Sequence, residues 1–173
     1  MNPVTTAAQE QRLPRRTNPV LVDARDHGIE DAVIASRSTA TLLITASTRW
    51  EVETVARRIH RTGLRAAASF VRVRAGALPI EPRSLRESCS ALLDAATGGS
   101  MFMSDVEEMP AIVQGVLIEL LAELQTVRAP SAAVRLISGT TVSLLDCIAA
   151  GSFSARLFYR LNILHLVVRN GAR

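Results

Sequence analysis

Short apolar runs alternate along the chain with segments in which apolar residues are spaced as on a helix. Five runs have the length and composition of buried strands: TLLIT (41–45), SFVRVR (69–74), SMFMS (100–104), AVRLIS (133–138) and LNILHLVV (161–168). Helical spacing is found at Val52, Val55, Ala56 and Ile59, along the stripe from Ile112 to Leu124, and in 84–97 and 142–151. This alternation predicts an α/β fold with a parallel five-stranded sheet covered by helices on both faces.

The first residues differ from the rest. Residues 1–18 are polar and proline-containing, so we interpret them as a flexible leader and 19–173 as one domain. The leader has no apolar core of the secretory type, and no apolar run in the chain approaches the length of a membrane span. Cys89 and Cys147 are far apart and lack metal-type spacing, which suits a reducing compartment. The sequence therefore predicts a cytoplasmic protein.

The charged residues restrict the chemistry. All 20 basic residues are arginine, so lysine chemistry is excluded, and the formal net charge is +4. That charge permits an acidic partner or DNA, but no DNA-recognition element is visible in the sequence. The three histidines lack metal-ligand spacing, and no G-x-S-x-G motif occurs. We therefore expect no metal site.

Five blocks in order resemble one family. LLITASTRWEVETVARRIH (42–60) aligns without a gap with V-L-I-T-G-E-S-G-T-G-K-E-L-V-A-R-A-I-H, and the other blocks are SFVRVRAGALP (69–79), GGSMFMSDVEEMP (98–110), VRLISGTT (134–141, against V-R-V-I-A-A-T-N) and GSFSARLFYRLNIL (151–164). The chain thus resembles the central AAA+ ATPase domain of the sigma-54-dependent transcriptional activators (bacterial enhancer-binding proteins). The resemblance implies a P-loop NTPase three-layer sandwich, with ATP and Mg²⁺ as family cofactors.

The phosphate loop departs from the family pattern. A phosphate loop needs glycines, so that backbone N–H groups can converge on the phosphates, and a lysine that reaches the terminal phosphates. The family's three glycine positions hold Ala46, Arg49 and Glu51, and the lysine position holds Val52. These are degenerate positions of a nucleotide site. Arg49 could pair with an anion, but its simpler interpretation is a solvated surface charge.

The other catalytic positions also differ. The acidic pair that ends the strand in the family's third block reads Ser104 and Asp105, and the sensor asparagine position holds Thr141. Asp105 keeps a charge but is more simply a turn residue. Of the family's two arginines near the subunit boundary, one is Ser154 and the other is Arg160, which matches an arginine finger or is a helix-end arginine.

Two family segments have no counterpart in the sequence. Between Pro79 and Gly98 nothing resembles the G-A-F-T-G-A loop that contacts the sigma factor in the family. After HLVVRNGAR (165–173) neither the helical lid nor a helix-turn-helix follows, so the expected fold has the helical lid absent.

These departures favour a non-catalytic module. It would act in transcription regulation through contacts with intact sigma-54 activators or with its own copies in a homo-oligomer, and no cofactor is expected. The enzyme alternative is a divergent, weak ATPase that uses Arg49, Asp105 and Arg160. A third alternative is a relic without a function.

Overall fold

The computed structural model describes residues 20–23, 28–127 and 133–168. The leader over 1–18 and residue 19, where the domain was predicted to begin, lie outside the described residues. In chain order the elements are β1 (Val20–Asp23), α1 (Gly28–Arg37), β2 (Leu42–Thr45), α2 (Arg49–Thr62), β3 (Phe70–Arg74), α3 (Pro82–Ala95), β4 (Ser100–Ser104), α4 (Ala111–Val127), β5 (Arg135–Thr140), α5 (Leu144–Ala149), α6 (Ala155–Leu161) and β6 (Leu164–Val167). Two short 3₁₀ turns cover Ala75–Ala77 and Val106–Glu108.

The sheet confirms the predicted parallel α/β fold. Its order is β1-β6-β2-β5-β4-β3, and every pairing is parallel. All five predicted strands are present, and β1 is a sixth strand at the edge beside β6. Two predicted boundaries were wrong: β5 extends to Thr140, and Leu161 belongs to α6 rather than to the last strand. Local apolar runs do not reveal β1, because its pairing with β6 joins residues far apart in the sequence.

The core lies on both faces of the sheet, as the alternation along each strand requires. Leu43, Met101, Met103 and Leu136 pack with α3, α4 and α6 on one face. The neighbouring positions in the strands point to α1 and α2 on the other face, and they are Leu42, Ile44, Phe102, Ile137 and Leu166. This arrangement forms the three-layer sandwich.

The predicted helices are confirmed as α2, α3, α4 and α5, whereas α1 and α6 were not predicted. Local signals set several helix ends. Glu81 caps α3, Pro82 occupies its first turn, and Ser143 and Ser154 cap α5 and α6. Among the described residues, no helix is long and apolar enough to cross a membrane.

Two buried or partly buried histidines make the stability of the fold depend on pH. Burial lowers the pKa of His60 and of His165 below the ordinary value. His60 Nδ1 lies 3.0 Å from Ser100 Oγ, and His165 Nε2 lies 2.9 Å from Thr45 Oγ1. The unfolded chain therefore takes up protons at a higher pH than the folded chain does. The stability due to neutral histidines is present above pH ~6.5 and is lost as the pH falls through the folded-state pKa values.

We expect the free energy of unfolding to fall between pH 7.5 and 5.5. The slope has an upper limit of about 1.4 kcal/mol per pH unit for each histidine. Urea denaturation at several pH values measures it. His60→Gln and His165→Gln should each reduce the slope, and a slope unchanged in the double variant would contradict the assignment.

Candidate functional site

The candidate site lies where β2, β4 and β5 end. These strands are adjacent and parallel, so their carboxyl ends lie at one edge of the sheet. In open α/β sheets this edge is where ligands bind. The backbone N–H of Ala46 donates to the carbonyl of Thr140 at 3.3 Å, which fixes the first residue after β2 against the end of β5. Ala46 is buried.

The segment after β2 forms a helix start rather than a wide loop. Only Ala46–Thr48 separate β2 from α2, which begins at Arg49. Thr48 Oγ1 accepts from the Glu51 N–H at 3.2 Å, and Glu51 Oε2 accepts from the Thr48 N–H at 3.0 Å. This is a capping box. The carboxylate of Glu51 therefore binds backbone of its own helix, and two N–H groups of this segment are already hydrogen-bonded within it.

Val52 is part of the core. Its side chain is buried and packs against Gly139 of β5. A Cβ atom added at Gly139 would overlap Val52 Cγ1 and would lie 3.1 Å from a Phe102 ring carbon. In the family segments quoted above, the corresponding positions hold lysine and alanine. The branched valine thus fills space that an alanine methyl at position 139 would need.

Asp105 holds an unusual backbone conformation at the end of β4. Its φ of 54° and ψ of 48° are left-handed, which aspartate tolerates better than most residues. The side chain is buried, and it accepts from the Nε of Arg49 at 2.7 Å and from the hydroxyl of Ser104 at 3.2 Å. Arg49 also forms an ion pair with Glu108. Arg49 is therefore a surface charge, 59% exposed, whose guanidinium is bound by two carboxylates.

Glu107 binds the end of β5. Its Oε1 accepts from the backbone N–H and from the hydroxyl of Thr141, both at 3.3 Å. Its Oε2 is buried without a hydrogen-bond partner among the described residues. Thr141, at the family's sensor position, is therefore bound by the carboxylate of Glu107.

Arg160 lies away from this cluster. It is in the last turn of α6, four residues before β6 begins, and the amino ends of the strands form the opposite edge of the sheet. The structure therefore does not place Arg160 with Asp105 in one subunit. Ser154 caps α6, with its N–H donating to Gln114 Oε1 at 2.7 Å.

Carboxylates lie close to the ends of β4 and β5. Among the described residues, Asp105 and Glu108 bind Arg49, and Glu107 binds Thr141. Sequence reasoning assigned Glu51 and Asp105 to the site but missed Thr48, Glu107 and Glu108. The T-x-x-E spacing of Thr48 and Glu51 is a local signal for the capping box. No local sequence signal predicts the contact between Glu108 and Arg49, because these residues are 59 positions apart. Among the described residues, no group of three or more His, Cys, Asp or Glu side chains is arranged to hold a metal ion.

The parallel sheet, its helices and the turn from β2 into α2 define an α/β domain of the P-loop NTPase, AAA+ class. The Sigma-54 interaction domain model matches residues 84–167. Regulatory protein AtoC of Escherichia coli is 29% identical over 163 residues, covering 80% of this chain and 34% of AtoC. Response regulator protein PilR of Pseudomonas aeruginosa is 32% identical over 152 residues, covering 77% of this chain and 34% of PilR.

Solved structures agree. NtrX from Brucella abortus in complex with ATP superposes with a TM-score of 0.71 and 25% identity, covering 88% of this chain and 38% of NtrX. The P-loop NTPase domain of a sigma-54 activator from E. coli gives a TM-score of 0.60 at 21% identity, covering 81% of this chain and 98% of that domain, and supports the fold alone. The chain belongs to the sigma-54 activator AAA+ domain family. It spans about a third of the length of AtoC and PilR.

Proposed function

We propose that this chain is a non-catalytic AAA+ module of the sigma-54 activator family that acts in transcription regulation through protein–protein contacts. One observation carries the non-catalytic part: the groups that replace the phosphate loop and the acidic pair bind one another. Arg49 binds Asp105 and Glu108, and Thr48 and Glu51 cap α2. A nucleotide would have to break these contacts, and no lysine is available to replace them.

Electrostatics support the same proposal. Phosphate sites work because N–H groups, a cation and a helix N-terminus all favour negative charge. Here the first turn of α2 carries Glu51, and Glu107 presents a carboxylate at the end of β5. The triphosphate of ATP would face these carboxylates. We therefore expect no resident cofactor.

Surface composition supports protein contacts. Trp50 is 74% exposed and Leu145 is 61% exposed, and both follow the carboxyl ends of central strands. Exposed apolar side chains grouped at a site are typical of interaction surfaces. The partner we propose is an intact sigma-54 activator or a second copy of this chain. The connection from β3 to β4 contains a 3₁₀ turn and α3 without a G-A-F-T-G-A segment, so we do not propose sigma-factor contact.

Calorimetry with Mg²⁺ and ATP tests the non-catalytic proposal. We expect no saturable heat, which corresponds to a dissociation constant weaker than about 1 mM and to less than about 4.1 kcal/mol of binding free energy. NtrX is the positive control, because it was crystallised with ATP. Micromolar binding together with phosphate release above the blank would favour the divergent ATPase that uses Arg49, Asp105 and Arg160.

Light scattering tests the protein-contact proposal. It is measured on the chain alone and on the chain mixed with an intact sigma-54 activator domain. We expect a species larger than either monomer, formed without added nucleotide. Trp50→Ala should weaken it, whereas Ile34→Ala is the matched control because Ile34 is 64% exposed but lies on α1. Monomers under every condition would contradict the proposed contacts.

A further inference from the structure

A second polar cleft lies at the opposite, amino edge of the sheet. It is enclosed by the C-terminal ends of α1 and α2 and by the first residues of β4 and β5. The polar side chains that line it are Ser36, Ser38, His60, Arg65, Ser100 and Arg135. Its volume of about 10 Å³ has room for one water-sized group. The cleft is separate from the site at the carboxyl edge.

Arg135 is the unusual residue in this cleft. It is only 3% exposed, and its Nη2 donates to the carbonyl of Ala35 at 2.6 Å. Its buried Nε has no hydrogen-bond partner among the described residues. Buried guanidinium groups are ordinarily paired with an anion, since an unpaired buried charge is costly. Within the described part of the chain, Arg135 makes no ion pair with a carboxylate.

The surroundings add positive charge rather than neutralise it. Arg65 donates to the carbonyls of Gly98 and Ala133 at 2.8 and 2.6 Å, so it too binds neutral oxygens. Burial and the nearby charge of Arg65 lower the pKa of Arg135 to about 10, so Arg135 is still charged at neutral pH. The potential in the cleft is therefore positive.

Two exposed arginines are next to lining residues in the sequence. Arg37 lies between the lining residues Ser36 and Ser38, and Arg61 follows His60. Arg61 is close enough to contribute to the lowered pKa of His60. Neither arginine forms an ion pair with a described carboxylate. The guanidinium groups of Arg65 and Arg135 thus line a space that fits a single small group, and Arg61 lies near His60 at its side.

We propose that this cleft binds a phosphoryl group, with one anionic oxygen beside Arg135 and Arg65 and the remaining oxygens at the mouth between Arg37 and Arg61. A phosphoryl group carries several charged oxygens on one centre, which suits the two guanidinium groups that line the cleft and the exposed arginines that follow its lining residues in the sequence. The hydroxyl of Ser38, which accepts from the Ala40 N–H at 3.1 Å, can supply a neutral donor. The source is free phosphate or a phosphate ester, and this site does not depend on the proposed function of the other edge.

Calorimetry at constant ionic strength tests this proposal with inorganic phosphate, phenyl phosphate and chloride as probes. We expect saturable phosphate binding that weakens about tenfold in Arg61→Ala, equivalent to about 1.4 kcal/mol, and further in Arg37→Ala/Arg61→Ala. Both positions are exposed, so the variants should fold. Arg74→Ala is the charge-matched control, because Arg74 is exposed at the far end of β3. It should bind as the natural chain does.

The probes distinguish the two sources of the ligand. Tighter binding of phenyl phosphate would indicate an ester, and equal or weaker binding would indicate free phosphate. Either result supports a phosphoryl site. Binding that is equal for chloride, equal in the double arginine variant, or absent up to about 10 mM phosphate, less than about 3 kcal/mol of binding free energy, would overturn it.

Discussion

Gly139→Ala is expected to lower the free energy of unfolding by about 3 kcal/mol, at the upper end of overpacking effects. The added Cβ would overlap Val52 Cγ1 and press on the Phe102 ring. Both neighbours are at most 2% exposed, so neither can move into solvent. Chemical denaturation of the purified variant measures the change.

Val52→Ala combined with Gly139→Ala should recover part of this loss, because it removes the overlapping methyl group. We expect a coupling free energy of at least about 1 kcal/mol in the double-mutant cycle. Gly115→Ala is the control glycine, since it is exposed on α4 and a Cβ there meets nothing within 4 Å. It should stabilise the chain by about 0.5–1 kcal/mol. Equal stabilities for Gly139→Ala and the natural chain would show that β5 and α2 do not pack as described.

Arg49→Ala is expected to cost about 2 kcal/mol of stability, the usual penalty for a buried charged group that loses its partner. The Asp105 side chain is 5% exposed, and its described contacts are Arg49 and the Ser104 hydroxyl. Without Arg49 the carboxylate would stay buried beside a single hydroxyl. Urea denaturation near neutral pH measures the loss.

Arg83→Ala is the matched control for Arg49→Ala. Arg83 pairs with Glu87, but their side chains are 86% and 67% exposed. Such a pair contributes little, so we expect a change within about 0.5 kcal/mol. Asp105→Asn in the Arg49→Ala chain should restore part of the stability, because asparagine removes the buried charge and tolerates the left-handed backbone. If Arg49→Ala costs no more than Arg83→Ala, the ion pair at the carboxyl edge does not stabilise the fold.

Most of the fold could be predicted from local pattern. Five strands and four helices follow from apolar spacing, because buried parallel strands and amphipathic helices each leave a periodic signal. β1, α1 and α6 were not found in this way. β1 is only four residues long and is defined by its pairing with β6. The apolar residues at the end of α6 continue into those of β6, so the sequence pattern did not separate this helix from the strand.

The candidate site was predictable in its positions but not in its contacts. The sequence located Ala46, Arg49, Glu51, Val52 and Asp105 at one edge by resemblance, and the structure places all five there. The assignment of Glu51 to a degenerate glycine position did not include its local role in the cap with Thr48. Partners separated by 34 and 59 residues, such as Glu107 with Thr141 and Glu108 with Arg49, leave no periodic trace.

The sequence by itself determined the sigma-54 activator ancestry, the α/β class, the absence of lysine and the loss of the phosphate-loop residues. Each of these depends on residue identity and short-range order, which a sequence states directly. Only the tertiary structure decided that Arg49 is bound by Asp105 and Glu108, that Val52 fills the space beside Gly139, and that Arg135 is buried without a carboxylate partner among the described residues. The physical reason is that burial and charge pairing depend on which distant strands lie side by side, and strand order is set by packing of the whole sheet.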